Sequence, residues 1–197
     1  EHYEPAFLKG IEEQNAKIQS IVDNDEAPTF ENVIVALDNS SPMLDRVGGV
    51  FHNMTEAETT DELTELSIRI APVLSEHEDN IYLNQGLFKK VNAVYQQKES
   101  LGLNSEQQRL LEKKYKEFVR SGANLPADKQ ARLREINKQL STLSITFTNN
   151  TLNENNAFKL FIDKQEDLAG LPEWFCQSAA EEAKADGQEG KWLFTLH

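Results

Sequence analysis

The sequence is poor in cysteine and has no long hydrophobic run. Its single cysteine, Cys176, excludes an internal disulfide. Cys176 follows Phe175 in an amphipathic pattern that runs on into alanines, which predicts a packed thiol rather than a nucleophile. No apolar run approaches the roughly 18 to 20 residues that span a bilayer, and the start does not resemble a signal peptide. We expect a soluble segment, with an export signal lost from a trimmed start as the open alternative.

Positive charge is also scarce. The chain of 197 residues has 20 Lys and Arg against 33 Asp and Glu, a formal net charge of −13. The basic residues are scattered among acidic ones rather than gathered into a stripe, so the electrostatic term that dominates nucleic-acid affinity is missing. The charge therefore argues against a nucleic-acid partner and indicates a solvated acidic surface.

Motifs for catalysis and cofactor binding are missing as well. The sequence contains no G-x-S-x-G elbow, no G-x-x-x-x-G-K-[ST] loop and no G-x-G-x-x-G after a strand. One cysteine excludes a cysteine-based zinc site. No ligand-like spacing relates the four histidines, which are His2, His52, His77 and His197. We predict no catalytic residue and no metal ligand in this chain, and we assign no substrate-binding residue.

One stretch comes close to a zinc motif. His77-Glu78 is followed by Ile81 where H-E-x-x-H requires a second histidine, and isoleucine cannot bind zinc. The helical stripe of this region includes His77, whereas Glu78 lies off it. The stripe consists of Leu63, Leu66, Ile70, Leu74, His77 and Ile81. We therefore interpret His77 as a hydrogen-bonded histidine at the edge of a core.

Helical periodicity dominates the first three quarters of the chain. It predicts helices over about residues 5–22, 42–54, 60–83 and 126–152, with a further helix between 29 and 42 for which Thr29 is the N-cap. Two more helices precede Gly102 and Gly122, and the second opens with a capping box of Ser105 and Gln108. Gly48-Gly49 falls in a helical pattern and indicates close helix packing rather than a phosphate-binding loop. The long run at 126–152 has an apolar stripe of Leu133, Ile136, Leu140, Leu143 and Phe147.

The last 40 residues follow a different pattern. Residues 157–162 and 191–196 read as strands, and residues 172–186 read as a helix that Gly187 ends. The predicted fold class is mainly α, an antiparallel helical bundle or array with a small β-α-β element at the C-terminal end. The predicted domains are a helical N-terminal subdomain, 1–122, and a segment, 123–197, that joins the long helix to the β-α-β element and continues into a missing catalytic domain.

Several stretches, in the same order along the chain, closely resemble the N-terminal region of bacterial peptidyl-dipeptidases. These enzymes belong to the thimet oligopeptidase family of zinc metallopeptidases. The resemblance covers essentially the whole chain. The stretches are residues 24–32 with 34–37, 81–84 with 87–88, 102–103 with 107–111, 118–125, 155–158, 168–172 and 189–196.

The resemblance implies a parent enzyme with zinc, whose H-E-x-x-H helix lies beyond this chain, so no ligand is carried over to it. It implies a helical wall that borders a channel and admits short, unfolded peptides, from which peptidyl-dipeptidases release C-terminal dipeptides. The implied partners are the catalytic half of the same polypeptide and short peptide substrates, with no membrane segment. The implied compartment is the cytoplasm, or the periplasm if an export signal precedes this sequence. The alternative is a stand-alone helical module that binds a protein or peptide without enzymatic activity.

Overall fold

The computed structural model describes residues 2–196, and the mainly α prediction is confirmed. The chain divides into two compact units, Glu1–Leu143 (unit 1) and Ser144–His197 (unit 2), and the long helix α7 contributes to both. The division after residue 122 stays a prediction. Within the described residues, every helix is too short or too polar to span a bilayer.

Six helices and the start of a seventh form unit 1. The second of them, α2, begins with a π-helical turn, Phe30–Val35, and continues as Ala36–Asp38. A short 3₁₀ turn, Lys98–Ser100, follows α5. The others are α1 (Tyr3–Asp23), α3 (Pro42–Ala57), α4 (Asp61–Tyr82), α5 (Gln85–Gln96), α6 (Ser105–Arg120) and α7 (Ala127–Ala157).

Side-chain caps explain where several of these helices begin. Thr29 caps α2 as predicted, because its Oγ1 accepts a hydrogen bond of 3.0 Å from the Asn32 amide, and Asn32 Oδ1 accepts one of 2.7 Å from the Thr29 amide. The predicted capping box of α6 is shifted by one residue. Asn104 is the N-cap, because its Oδ1 accepts a hydrogen bond of 2.9 Å from the Gln107 amide, and Gln107 Oε1 completes the box by accepting one of 3.1 Å from the Asn104 amide.

The interior of unit 1 consists of two hydrophobic clusters. The smaller one joins the first half of α1 to α3 and to the first half of α4, through Phe7, Phe51, Leu66 and Ile70. The larger one joins the second half of α1 and the end of α4 to α2, α5 and α6. Its buried members are Ile18, Ile21, Phe30, Val33, Ile34, Leu37, Ile81, Leu87, Val91, Val94, Leu111, Phe118 and Ala123.

Close helix packing occurs at Gly10 and not at the predicted Gly48-Gly49. A Cβ on Gly10 would lie 2.8 Å from Leu44 Cγ and 3.2 Å from the Leu44 backbone nitrogen, so α1 and α3 meet at a position where only glycine fits. A Cβ on Gly48 would come no nearer than 3.9 Å to His52, and one on Gly49 would meet nothing within 4 Å. The interpretation of Gly48-Gly49 as a packing site is therefore wrong.

Unit 2 contains the end of α7, a 3₁₀ turn (Gln165–Leu168), helix α8 (Glu173–Ala185) and two strands. The strands β1 (Leu160–Ile162) and β2 (Trp192–Phe194) pair antiparallel, with Leu160 opposite Phe194 and Ile162 opposite Trp192. Both are shorter than predicted. Residue 157 ends α7 instead of beginning a strand, since the helix continues past its predicted end at residue 152.

The stripe predicted for α7 forms on a helix but is only partly covered, with Leu133 and Ile136 half-buried. No residue of α7 is buried. Leu140 and Leu143 in unit 1, and Phe147 in unit 2, are exposed. The apolar spacing correctly predicts the helix, but it does not identify what the helix packs against.

The two glycine environments give opposite predictions. Gly10→Ala should lower the free energy of unfolding by about 1 to 3 kcal/mol, because the added methyl group overlaps Leu44 and the nearby backbone cannot yield cheaply. Gly49→Ala should raise it by up to about 1 kcal/mol, because alanine favours the helix and has free space. Urea unfolding of both variants measures these changes. Equal effects would contradict the assigned α1–α3 contact.

Candidate functional site

His77, the histidine of the incomplete zinc motif, is buried between helices of unit 1. Its residue is 5% exposed. His77 Nε2 lies 2.7 Å from Gln14 Oε1 on α1, and Gln14 Nε2 donates to Ser40 Oγ at 2.9 Å, in the turn before α3. An amide oxygen can only accept, so we infer that Nε2 carries the proton of the neutral ring. The interpretation of His77 as a packed, hydrogen-bonded histidine is confirmed.

The rest of the motif is not arranged as a metal site. Glu78 is exposed, and Ile81 belongs to the larger hydrophobic cluster. Within residues 2–196, no group of three or more His, Cys, Asp or Glu side chains is placed to hold a metal ion. The residues present therefore do not fit zinc, and we assign no ligand to them.

Burial controls the titration of this region. Desolvation lowers the pKa of His77, which favours the neutral ring. Its Nδ1 is buried and has no hydrogen-bond partner among the described residues, so a proton there would be unsatisfied. Burial, followed by the negative charges of Glu117 and Glu78, raises the pKa of Tyr82 to about 12. Both side chains are therefore uncharged near neutral pH, and neither is prepared for proton transfer.

A groove lies between α4 and the first part of α7 in unit 1. Two polar contacts join its walls: Asn137 Nδ2 donates to Asp79 Oδ1 at 2.7 Å, and Arg134 Nη1 donates to Asn80 Oδ1 at 2.8 Å. Asp79 is buried, so its bond to Asn137 compensates for the removal of the carboxylate from water.

Two adjoining cavities form this α4–α7 groove. The first has a volume of about 610 Å³ and is lined by Pro72, Glu135, Lys138, Gln139, Thr142 and Leu143. The second, of about 320 Å³, shares Glu135 and Lys138 and adds Glu76, Asp79 and Arg134. The lining combines charges of both signs with apolar side chains but includes no histidine or cysteine. Such a lining offers both charged and apolar contacts to a bound chain.

Sequence reasoning did not identify the groove. Its charged residues lie off the apolar stripes of α4 and α7, where charge normally indicates a solvated helix face. Only the pairing of α4 with α7, which no local pattern specifies, brings Asp79 and Asn137 together. The predicted absence of catalytic and metal-binding residues stays a prediction.

Comparison with known proteins gives relatives over the whole chain but no matching family model. The chain is 40% identical, over 195 residues and 99% of its length, to a dipeptidyl carboxypeptidase of Escherichia coli. It is 30% identical over 196 residues to an oligopeptidase A of Haemophilus influenzae, and 28% identical over 196 residues to that of Salmonella typhimurium. The chain spans 28% to 29% of the length of these relatives.

Replacing His77 tests its packing role. His77→Ala should lower the free energy of unfolding by about 1 to 3 kcal/mol, because it removes the bond to Gln14 and leaves a cavity between α1 and α4. His52→Ala is the matched control: His52 is an exposed histidine of the same unit, and its loss should change stability by less than about 0.5 kcal/mol. Urea unfolding compares the two variants, and a His77 variant as stable as the control would place this ring at the surface.

The same histidine should make stability depend on pH. In the unfolded chain the ring has its ordinary pKa of 6.5, and burial lowers that pKa in the folded chain. Above pH 6.5 both states are neutral. As the pH falls below 6.5 the unfolded chain binds the proton first, so stability is lost until the pH has passed below the folded pKa. Between about pH 7 and about pH 5, the unfolding free energy of the unaltered chain should fall more than that of His77→Gln. Equal pH slopes would show that His77 protonates freely in the fold.

Proposed function

We propose, because the chain fits an N-terminal region of the thimet oligopeptidase family, that it is the non-catalytic N-terminal region of a zinc peptidyl-dipeptidase. The parent enzyme would release C-terminal dipeptides from short peptides. The observation that carries this proposal is the 40% identity to a dipeptidyl carboxypeptidase over nearly the whole chain. The identity to the oligopeptidases A is lower, at 28% to 30%. This difference in identity favours a dipeptide-releasing parent over an endopeptidase.

In this proposal, unit 1 acts as a helical wall that restricts access to the active-site channel. A wall of this kind needs a fixed shape and no reactive group. Two hydrophobic clusters hold the helices of unit 1 together, and the α1–α3 contact at Gly10 leaves no room for an added methyl group. Selection would then operate by excluding bulky substrates, which requires no strong contact with the accepted ones.

The zinc and the groups that activate water would come from the catalytic half of the same polypeptide, which is the proposed partner of this chain. The chain alone is then expected to be inactive. We place the parent enzyme in the cytoplasm by family resemblance. The competing proposal, a stand-alone module, would use the α4–α7 groove to bind a peptide, since a cavity of about 610 Å³ with both charges can hold one. A reading frame that ends shortly after residue 197 would favour the module.

The size filter is tested with the full-length enzyme and one C-terminal sequence of about ten residues in three contexts. The free peptide should lose dipeptides rapidly, and the same sequence on the flexible C-terminus of a folded host protein should resist, because the host cannot enter the channel. A destabilised, unfolded variant of the host should regain cleavage. Mass spectrometry of the released dipeptides gives the three rates.

The unfolded host is the control for attachment, because the ten-residue sequence is joined to it by the same peptide bond as in the folded host and only the folding of the host differs. Similar rates on the free peptide and on the folded host would show that this region does not act as a filter. Absence of dipeptide release from the free peptide would instead reject the assignment to a peptidyl-dipeptidase.

A further inference from the structure

Both strands of unit 2 are apolar at every position. β1 reads Leu160-Phe161-Ile162 and β2 reads Trp192-Leu193-Phe194. A strand with one face in water normally alternates apolar with polar residues, whereas a continuous apolar run is typical of a sheet covered on both faces. The sequence of these strands therefore requires more cover than a single helix layer.

Unit 2 covers the two faces of this sheet unequally. In the antiparallel register Leu160 and Phe194 are opposite each other and share one face, and Phe161 and Leu193 share the other. Leu193 is 5% exposed and Phe161 is half-buried. Leu160, on the opposite face, is 47% exposed. One face is thus incorporated in the core of unit 2 and the other remains partly in water.

Aromatic contacts extend the exposed side of the sheet onto α8. The rings of Phe194 and Phe175 have centroids 5.5 Å apart, and those of Phe175 and Trp174 are 5.5 Å apart in an edge-to-face arrangement. Trp174 is 70% exposed, the second-largest exposure among the large apolar side chains of the described residues. We call Leu160, Phe194, Phe175 and Trp174 the aromatic surface.

Backbone groups add to this uncovered area. Within the described residues the sheet has two strands, so each strand has an outer edge without a strand neighbour. A two-stranded sheet of three residues per strand is marginal in water, and its free edges are ready to pair with another strand. The free edges belong to the sheet that carries Leu160 and Phe194, and α8 adds Phe175 and Trp174 beside it. This is the arrangement of an interface that continues into more polypeptide.

We propose that the aromatic surface and a free edge of the sheet bind the remainder of the same polypeptide, with Trp174 as the most exposed anchor. This inference rests on the proposed function, in which the chain is one region of a longer peptidase. The length of the relatives identifies the occupant, because the chain spans only 29% of the dipeptidyl carboxypeptidase it resembles. Permanent interfaces are more hydrophobic than transient ones, and all four side chains of the aromatic surface are apolar, so the surface suits a permanent contact.

The test uses the full-length protein with a cysteine at residue 174, the most exposed position of the aromatic surface. Trp174→Cys, in a background with Cys176→Ser, is labelled with a maleimide, and mass spectrometry of the peptide containing residue 174 gives the rate. The same protein unfolded in urea supplies the rate for an uncovered cysteine. If the surface is covered, labelling in the native protein should be at least about tenfold slower. Rates within about twofold of each other would overturn the proposal.

Dilution distinguishes cover by the same polypeptide from cover by a second copy of the protein. Contact with the same polypeptide is independent of concentration, so protection should survive about a hundredfold dilution. Protection that disappears on dilution would show that a second copy occupies the surface, which would also overturn the proposal.

A measurement on the unaltered protein guards against a variant that fails to fold. Amide hydrogen exchange of peptides covering residues 158–163 and 190–196 should be slow in the full-length protein, because an added strand protects the edges. Exchange as fast as in an unfolded peptide would count against the added strand. None of these readouts depends on peptidase activity. Protection of residue 174 without dipeptide release would support this inference and reject the proposed function. Dipeptide release without protection of residue 174 would support the proposed function and reject this inference.

Discussion

Unit 1 depends on a short chain of hydrogen bonds that runs from the buried His77 through the half-buried Gln14 to the buried Ser40. Along α1, Gln14 lies between Phe7 of the smaller hydrophobic cluster and Ile18 of the larger one. Along α4, His77 lies between Ile70 and Ile81 in the same way. The bonds therefore cross the layer that separates the two clusters. Apolar contacts are not directional, whereas the buried imidazole of His77 and the half-buried amide of Gln14 bond only in one alignment, so these bonds add to the packing in fixing the register of α1 against α4.

The sequence predicted the elements of the fold better than their contacts. Helix positions follow from apolar spacing, which is local, and the Thr29 cap follows from a side chain that reaches an amide three residues away. Close packing at Gly10 depends on Leu44, more than thirty residues later, so no local pattern distinguishes Gly10 from Gly49. The α4–α7 groove is not predictable for the same reason. His77 was predictable because its own stripe on α4 already indicated a buried position.

The end of the chain shows where apolar pattern and burial separate. In α7 the stripe predicts a helix and the helix forms, yet its side chains are not buried. In β1 and β2 the continuous apolar run predicts cover on both faces, and Leu160 remains exposed. The apolar pattern of a segment reflects how much of it is buried in the protein in which it evolved. Where the described residues do not supply that environment, the mismatch itself indicates a further contact.

The environment of His77 also explains why the incomplete zinc motif is a coincidence of sequence. The H-E-x-x-H arrangement works when both histidines project into an open cleft that a metal ion and a substrate can reach. On α4 the face that carries His77 and Ile81 is turned into the interior of unit 1, and position 81 belongs to the larger hydrophobic cluster. A histidine at position 81 would therefore face Leu and Val side chains and not water. Glu78, the residue that would activate a water molecule, lies off that face and is exposed. The missing ligand is thus the lesser obstacle. The greater one is that the motif faces the core of unit 1, which a peptide substrate cannot reach.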